Sequence, residues 1–198
     1  MAKPGFLRRA YDWVLHWSET PYGPAALFLI AFIESSFFPI PPDVLLIALA
    51  LGMPSGAFRF ALMCTIGSVL GGMFGYFIGM AFFDLIGRPI LEFYGALGTF
   101  AEVQTLYREY GVWVVGIAGF TPIPYKVFTI ASGVFDMNFT QFVIISFFSR
   151  GARFFIVAAL IWKFGSAIKK FIDKYFNVLS VAFVIILLVG FIMVKLLL

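Results

Sequence analysis

Apolar residues occur in long runs along most of the chain, and short polar stretches separate them. Residues 57–83 and residues 139–162 are each long enough to cross a bilayer as one helix, and residues 177–197 form a third such run. Residues 5–18 place Trp and Phe on one helical face and Arg on the other, which predicts an amphipathic helix in the headgroup layer. The beginning of the first buried helix would give the same pattern, so this alternative stays open.

Prolines break two further apolar segments, residues 25–51 and residues 112–135. Proline has no backbone N–H and clashes with the preceding turn, so neither segment is one continuous helix. The arms reach only about 12–21 Å at 1.5 Å per residue, whereas the hydrocarbon core is about 30 Å thick. We therefore expect re-entrant hairpins; crossing segments are the alternative, because both fit the distribution of Lys and Arg. The hairpin tips contain Pro39, Pro41, Pro42, Pro122 and Pro124.

The two broken segments resemble each other. A shift of 83 residues superposes Phe37, Pro39, Ile40, Pro41, Val44 and Ala48 on Phe120, Pro122, Ile123, Pro124, Val127 and Ala131. A long apolar run follows each hairpin, and broken helices in matching halves are typical of a transporter with its site at the midplane. The predicted fold is an all-α integral membrane protein with two inverted repeats, each a Pro-tipped re-entrant hairpin plus a transmembrane helix, and an extra C-terminal transmembrane helix.

Residues 88–110 are more polar and predict surface helices between the two repeats. Thr99 and Glu102 have the spacing of a capping box, which would begin a helix there. Gly111 would then end that helix before the second hairpin.

Composition places the chain in a membrane and excludes several classes of function. Of its 198 residues 62% are hydrophobic and 12% are charged, against about 25% charged in soluble domains. A soluble protein of this size could not hide so much apolar surface.

One cysteine, Cys64, and one histidine, His16, argue against a disulfide framework and a zinc site, and we predict no catalytic residue, metal or cofactor. The net charge of +4 does not indicate nucleic acid, and we expect the cell (inner) membrane with a cytoplasmic N-terminus.

Five ionisable residues fall at membrane depth: Glu34, Asp43, Lys126, Arg150 and Arg153. Each costs roughly 2.5–3.5 kcal/mol at the centre of a membrane helix, so these side chains must face one another or a wet cavity. Asp43 and Lys126 occupy equivalent positions in the two repeats, and we expect them to pair at the tips. A purely structural network of buried ion pairs is the alternative to a functional site.

The types and numbers of these charges favour a site for an anion. Two acids and three bases leave one net positive charge, and Arg150 and Arg153 lie three residues apart on one helix face. Arginine binds phosphate through two parallel hydrogen bonds, so we assign Lys126, Arg150 and Arg153 to lipid-phosphate binding. Glu34 and Asp43 are assigned to proton coupling or gating, and Glu34 is the best candidate to exchange a proton, because it has no equivalent in the second repeat.

Glycine recurs at every fourth position of the first long run, at Gly67, Gly71, Gly75 and Gly79. Such a stripe lets another helix backbone approach closely. Room for an acyl chain along the same stripe is the alternative interpretation.

Three motifs carry a resemblance to a known family. They are Glu34 with Pro39-Ile40-Pro41-Pro42-Asp43, then Gly119-Phe120-Thr121-Pro122 with Lys126 and Gly133, then Arg150-Gly151-Ala152-Arg153. Together they resemble the DedA (VTT-domain) family of membrane proteins, and its small YqaA-type branch most of all. The resemblance covers roughly residues 25–165.

The resemblance implies two re-entrant hairpins that face each other. It also implies lipid transport, the flipping or scrambling of phospholipids or undecaprenyl phosphate with dependence on the proton motive force. Glu34 and Asp43 match the family's essential acids, and Arg150 lies in its basic helix. The family's second motif commonly carries arginines where this chain has Gly119 and, slightly displaced, Lys126, which points to a different headgroup.

The favoured hypothesis is a flippase-like or scramblase-like transporter of a membrane phospholipid or a polyprenyl phosphate, coupled to protons. A proton-coupled transporter of a small solute or ion would use the same residues and is the alternative. An intramembrane enzyme is disfavoured, because the sequence has no second histidine, no metal-ligand cluster and no serine beside a general base. A structural or chaperone role would leave the tip charges dispensable. Homo-oligomerisation is left open.

Overall fold

The structure, a computed structural model, describes residues 20–36, 41–95, 97–121, 123–165 and residue 167. The predicted helices at residues 5–18 and 177–197 lie outside the described residues, as do Pro39 and Pro122. Every regular element among the described residues is a helix, and no strand occurs among them. The all-helical part of the predicted fold is therefore confirmed for this part of the chain.

Seven α-helices are described, numbered here in chain order. They are α1 (Gly23–Ser36), α2 (Pro42–Gly52), α3 (Ala57–Phe82), α4 (Arg88–Phe93), α5 (Leu97–Phe120), α6 (Tyr125–Val134) and α7 (Phe139–Gly165). A 3-10 turn, Pro54–Gly56, precedes α3, and a π-helical turn, Phe83–Gly87, joins α3 to α4. The two long apolar runs of the sequence lie on α3 and α7.

Local chemistry explains where three of these helices begin. Pro41 has an extended backbone before α2, and Pro42 occupies the first turn, where its missing N–H loses no hydrogen bond. Pro124 is the cap residue before α6, as Pro41 is before α2. At α7, the Asn138 side-chain oxygen accepts a hydrogen bond from the backbone N–H of Gln141 at 3.0 Å, which satisfies an otherwise unpaired donor. The prolines that break the two apolar segments thus start the second arm of each.

The polar segment at residues 88–110 differs from its prediction. Helix α5 runs without interruption from Leu97 to Phe120, so Thr99 lies within it and Gly111 does not end it. Gly111 is buried, and a Cβ there would meet the Tyr107 ring at 3.0 Å and the Met137 sulfur at 3.3 Å. The missing side chain therefore serves packing against the next element, and the helix continues through it.

Helices α3 and α7 lie side by side and run in opposite directions. The Phe58 ring near the start of α3 lies 6.0 Å from the Trp162 ring near the end of α7. At the other end, the Tyr76 ring lies 5.2 Å from the Phe139 ring. One buried cluster joins α1 and α2 to the first half of α3 and the second half of α7, and another joins α5 and α6 to the opposite halves.

The distribution of side chains is the reverse of that in a soluble protein. Large apolar side chains are exposed along one face of α3, at Phe58, Leu62, Ile66, Leu70, Phe74, Phe77 and Met80. Hydroxyl groups and one arginine are buried instead, at Ser35, Ser36, Thr65, Ser68, Thr129, Ser132, Ser146, Ser149 and Arg150. A large apolar outer surface is expected where lipid, rather than water, surrounds the protein.

Length and composition agree with this distribution. Among the described residues, two helical stretches are long and apolar enough to cross a membrane, Pro54–Phe93 and Phe139–Gly165. In an apolar stretch of 18 residues in each of them, only 33% is buried inside the protein, whereas the core helix of a soluble protein is mostly buried.

The glycine stripe of α3 is occupied by two helix backbones. A Cβ at Gly67 would overlap the carbonyl oxygen of Phe28 in α1, and a Cβ at Gly71 would overlap that of Phe32. A Cβ at Gly79 would overlap the carbonyl of Ile130 in α6, and one at Gly75 would overlap the Thr129 hydroxyl. Helix α3 therefore receives α1 on one half of its stripe and α6 on the other, which leaves no room for an acyl chain between them.

Candidate functional site

Four of the five predicted charges meet where the end of α1 and the beginning of α2 approach the middle of α7. Glu34 lies in the last turn of α1, and Asp43 lies in the first turn of α2. Arg150 and Arg153 lie near the middle of α7, one helical turn apart on the same face, so each reaches one of these acids. The two helix ends supply the carboxylates, and the continuous helix supplies both guanidinium groups.

Arg150 contacts a carboxylate, a hydroxyl group and two aromatic rings. Its Nη2 donates to Glu34 Oε2 at 2.7 Å and its Nε donates to Ser68 Oγ at 2.6 Å. The guanidinium carbon lies 4.9 Å from the centre of the Tyr125 ring and 4.7 Å from that of Phe154. Only 2% of this arginine is exposed, and its charge is therefore satisfied by a carboxylate, a hydroxyl and two ring faces.

Two serines connect this ion pair to the packed helices around it. Ser35 Oγ and Ser68 Oγ lie 2.6 Å apart, which joins α1 to α3 by a hydrogen bond between two buried hydroxyls. Ser35 also donates to Glu34 Oε2 at 3.1 Å. A carboxylate removed from water needs partners for its charge, and Arg150 and Ser35 supply them at Oε2 of Glu34.

Arg153 connects the two hairpins. Its Nε and Nη2 donate to the two oxygens of Asp43 at 3.3 Å and 2.8 Å, the forked geometry that suits a carboxylate. Its Nη1 donates to the backbone carbonyl of Thr121, at the end of α5, at 2.6 Å. This pair is less buried than the first, with about a fifth of each side chain exposed (19% and 21%).

The predicted pairing of Asp43 with Lys126 is wrong. Arg153 bonds both oxygens of Asp43, and the four ion pairs found among the described residues do not include Lys126. Equivalent positions in a repeat occupy corresponding places in two halves, and they need not touch. The net positive charge of the five-residue cluster therefore belongs to Lys126.

Sequence reasoning missed Tyr125 and Thr129, both on α6 and both fully buried. The Tyr125 hydroxyl donates to Ser146 Oγ, which places its ring beside the guanidinium of Arg150. Thr129 Oγ1 donates to the carbonyl of Ser35 at 3.1 Å and so joins the two hairpins directly. The available signal was the adjacency of Tyr125 to a tip proline, together with isolated hydroxyl residues in otherwise apolar helices.

The described prolines of the two broken segments lie at helix beginnings. Pro42 is the first residue of α2, and Pro41 and Pro124 are the cap residues just before α2 and α6. No group of three or more metal-binding side chains occurs in the part of the chain that the structure describes. The chemistry available at the site is the exchange of hydrogen-bond partners among carboxylates, guanidinium groups and one ammonium group.

The fold and the site define a helical membrane protein that encloses a cluster of charges among helices with apolar outer surfaces. The model of the VTT domain matches residues 38–163, which include Asp43, Lys126 and both arginines. The chain belongs to the VTT-domain family, as its motifs indicate.

Several curated proteins are similar over most of their length. An uncharacterised protein of Haemophilus influenzae is 42% identical over 167 residues, 82% of this chain and 86% of that protein. An uncharacterised protein of Histophilus somni is 37% identical over 150 residues, 76% of this chain and 78% of its own. Undecaprenyl phosphate transporter A of Staphylococcus aureus is 26% identical over 157 residues, 73% of this chain and 70% of its own. No solved structure matches the chain.

Proposed function

We propose that the protein moves a phosphate-bearing lipid across the membrane, with the phosphate entering between the two hairpin tips. The observation that carries this proposal is the excess cation, since three bases face two acids at the site and Lys126 has no ion pair among the described residues. A relative bears the name undecaprenyl phosphate transporter A, which supports a lipid phosphate as the cargo.

The proposed architecture is a pair of inverted repeats, each a re-entrant hairpin with its long helix. The opposite directions of α3 and α7 support it, as does the packing of the two hairpins against opposite halves of these helices. Helices α1 and α2 span about 21 Å and about 16 Å at 1.5 Å per residue, less than the hydrocarbon core of about 30 Å. The proposed topology has a cytoplasmic N-terminus.

Exchange of ion-pair partners provides the mechanism. A lipid phosphate first binds Lys126 and then competes with Asp43 for Arg153, because guanidinium binds phosphate and carboxylate with the same forked geometry. Loss of the contacts of Arg153 would free the tip of the first hairpin from the end of α5. Protonation of Asp43 removes the competing negative charge, which couples the movement of lipid to protons. Glu34 plays the same part for Arg150 at greater depth.

Reconstitution into liposomes tests the proposal. Purified full-length protein in liposomes that contain a labelled polyprenyl phosphate or phosphatidic acid should speed the transbilayer movement of that lipid. Glu34→Ala and Arg150→Ala should abolish the movement, and Glu102→Ala, a change at an exposed acid of α5, should preserve it. Unchanged rates in the first two variants would disprove the assignment. Proton flux without lipid movement would favour the small-solute alternative.

A further inference from the structure

An apolar groove lies between the end of α3 and the side of α6. It has a volume of about 380 Å³ and is lined by Ile78, Phe82, Phe83, Gly87, Ile130 and Val134. Every one of these residues is apolar or a glycine. A methylene group takes up about as much space as a water molecule, whose share of the liquid is about 30 Å³, so the groove has room for on the order of ten methylenes.

The groove lies in line with Lys126, which has no ion pair among the described residues. Lys126, Ile130 and Val134 are spaced by four residues on α6, so they share one face of that helix, and all three are half-buried. Lys126 is at the tip end of α6, and Val134 is about 12 Å further along its axis at 1.5 Å per residue. A single lipid can therefore place its phosphate at Lys126 and its chain along Ile130 and Val134.

The wall of the groove on the side of α3 is shaped by an irregular turn. Phe83 and Gly87 belong to the π-helical turn, a rare conformation that is frequent at functional sites. The Phe83 ring stacks on Phe100 of α5 with their centres 4.6 Å apart, and Phe100 stacks on Phe135 at 5.4 Å. The aromatic side of the groove is therefore held in place by α5 and by the turn that follows α6.

We propose that this groove binds one hydrocarbon chain of the phosphate-bearing lipid whose headgroup binds Lys126, an inference that rests on the proposed function. Charge complementarity identifies the occupant, because the apolar lining is continuous with a face that carries one cation at its inner end. Bulk lipid chains gain nothing by leaving the bilayer for an equally apolar surface. A chain tethered to a phosphate at Lys126 gains a high effective concentration at the groove instead.

Photocrosslinking of the reconstituted full-length protein tests this inference. The probe is phosphatidic acid with a diazirine on one acyl chain, and diacylglycerol with the same chain is the control without a phosphate. We expect phosphatidic acid, and not diacylglycerol, to crosslink preferentially to residues 78–87 and 130–134. Lys126→Met should remove this preference, whereas general contact with annular lipid would give both probes the same pattern.

A pair of tryptophan variants on α3 separates the groove from the outer surface. Ile78→Trp fills the groove, and Leu70→Trp adds the same ring to the exposed face of the same helix. We expect Ile78→Trp to lower the crosslink yield from phosphatidic acid about tenfold, which corresponds to about 1.4 kcal/mol, and Leu70→Trp to leave it unchanged. Val134→Trp fills the groove from α6 and should act like Ile78→Trp if the latter variant folds poorly.

The outcomes distinguish this inference from the proposed function. Equal yields for Ile78→Trp, Val134→Trp and Leu70→Trp, with lipid movement intact, would overturn the groove and leave the transporter standing. Phosphate-dependent crosslinks in the groove without any lipid movement would support the groove and contradict transport. A photoactivatable amino acid in place of Phe82 gives a further check, because its crosslinking to residues 177–197, rather than to lipid, would overturn the inference.

Discussion

Two arginines one turn apart on α7 have different surroundings, and this difference sets what each can do. Arg150 is 2% exposed and is enclosed by Glu34, Ser68 and two aromatic rings. Arg153 is partly exposed and divides its hydrogen bonds between Asp43 and the end of α5. We therefore expect Arg153 to open first when a phosphate arrives, and Arg150, which also stabilises the packed helices around it, to open after it.

Glu34→Gln should destabilise the protein, because Arg150 would remain buried without a carboxylate. Breaking a buried pair in this way costs about 3–5 kcal/mol, which resistance to denaturation in detergent should reveal. Adding Arg150→Met should restore most of the lost stability without restoring lipid transport. Glu102→Gln on the exposed face of α5 is the matched control and should change stability by less than about 0.5 kcal/mol. A double variant as unstable as the single one would contradict this interpretation of the pair.

Arg153→Lys should impair transport although it keeps the charge. Lysine cannot form the fork that Arg153 makes with Asp43 while it also bonds the Thr121 carbonyl, so the connection between the hairpins weakens. The transport rate in liposomes measures the effect. Arg108→Lys is the control, since Arg108 pairs with Asp136 in an exposed position where such pairs contribute at most about 1 kcal/mol. Equal rates for the two variants would show that the fork is dispensable.

Helix α3 organises the protein at the scale of elements. Its glycine stripe receives α1 and α6, while its opposite face presents large apolar side chains to the outside. The close approach brings Ser35 to Ser68 and so completes the support of Glu34 and Arg150. Packing of backbone against backbone thus positions the charges that the site needs.

Gly71→Ala should therefore be destabilising despite the better helix propensity of alanine. Its Cβ would overlap the backbone of Phe32, and overpacking of this kind typically costs about 1–3 kcal/mol. Thermal unfolding in detergent should show the loss. Gly98→Ala on α5 is the control, because a Cβ there meets nothing within 4 Å, and it should be neutral or slightly stabilising. A neutral Gly71→Ala would mean that α1 does not approach α3 so closely.

At the scale of the whole molecule, the proposed inverted repeat determines on which side of the membrane the ends of each broken segment lie. Helices α1 and α2 pack at one end of the antiparallel pair formed by α3 and α7, and α5 and α6 pack at the other end. Thr129 bonds to Ser35 and Arg153 bonds to Thr121 between them. Re-entry from opposite sides puts the ends of the two hairpins on different faces of the membrane. If both segments crossed the membrane instead, the ends of the two segments would lie on one face.

Cysteine labelling in a Cys64→Ala background decides between these arrangements. Met53→Cys, after the first hairpin, and Thr140→Cys, after the second, both lie at exposed positions. We expect a membrane-impermeant maleimide to label them from opposite sides of sealed vesicles. Tyr22→Cys, before the first hairpin, should be labelled from the same side as Met53→Cys. Labelling of Met53→Cys and Thr140→Cys from one side would refute re-entry.

Much of this organisation was predictable because it is encoded locally. The runs at residues 57–83 and 139–162 lie on α3 and α7, since a continuous apolar stretch of this length favours a helix. The breaks at the prolines were equally visible, because the missing N–H acts wherever the residue lies. The continuity of α5 through Gly111 was not predictable, because it depends on how Tyr107 and Met137 pack around that glycine.

The sequence by itself determined the membrane class, the broken segments, the family and the five charges at depth, because composition, periodicity and motifs are properties of the chain alone. Only the tertiary structure decided that Glu34 pairs with Arg150 and Asp43 with Arg153, and hence that Lys126 carries the excess charge. The physical reason is that pairing depends on distance in space. Glu34 and Arg150 are 116 positions apart in the chain and are brought within 2.7 Å only by the packing of α1 and α7 around α3.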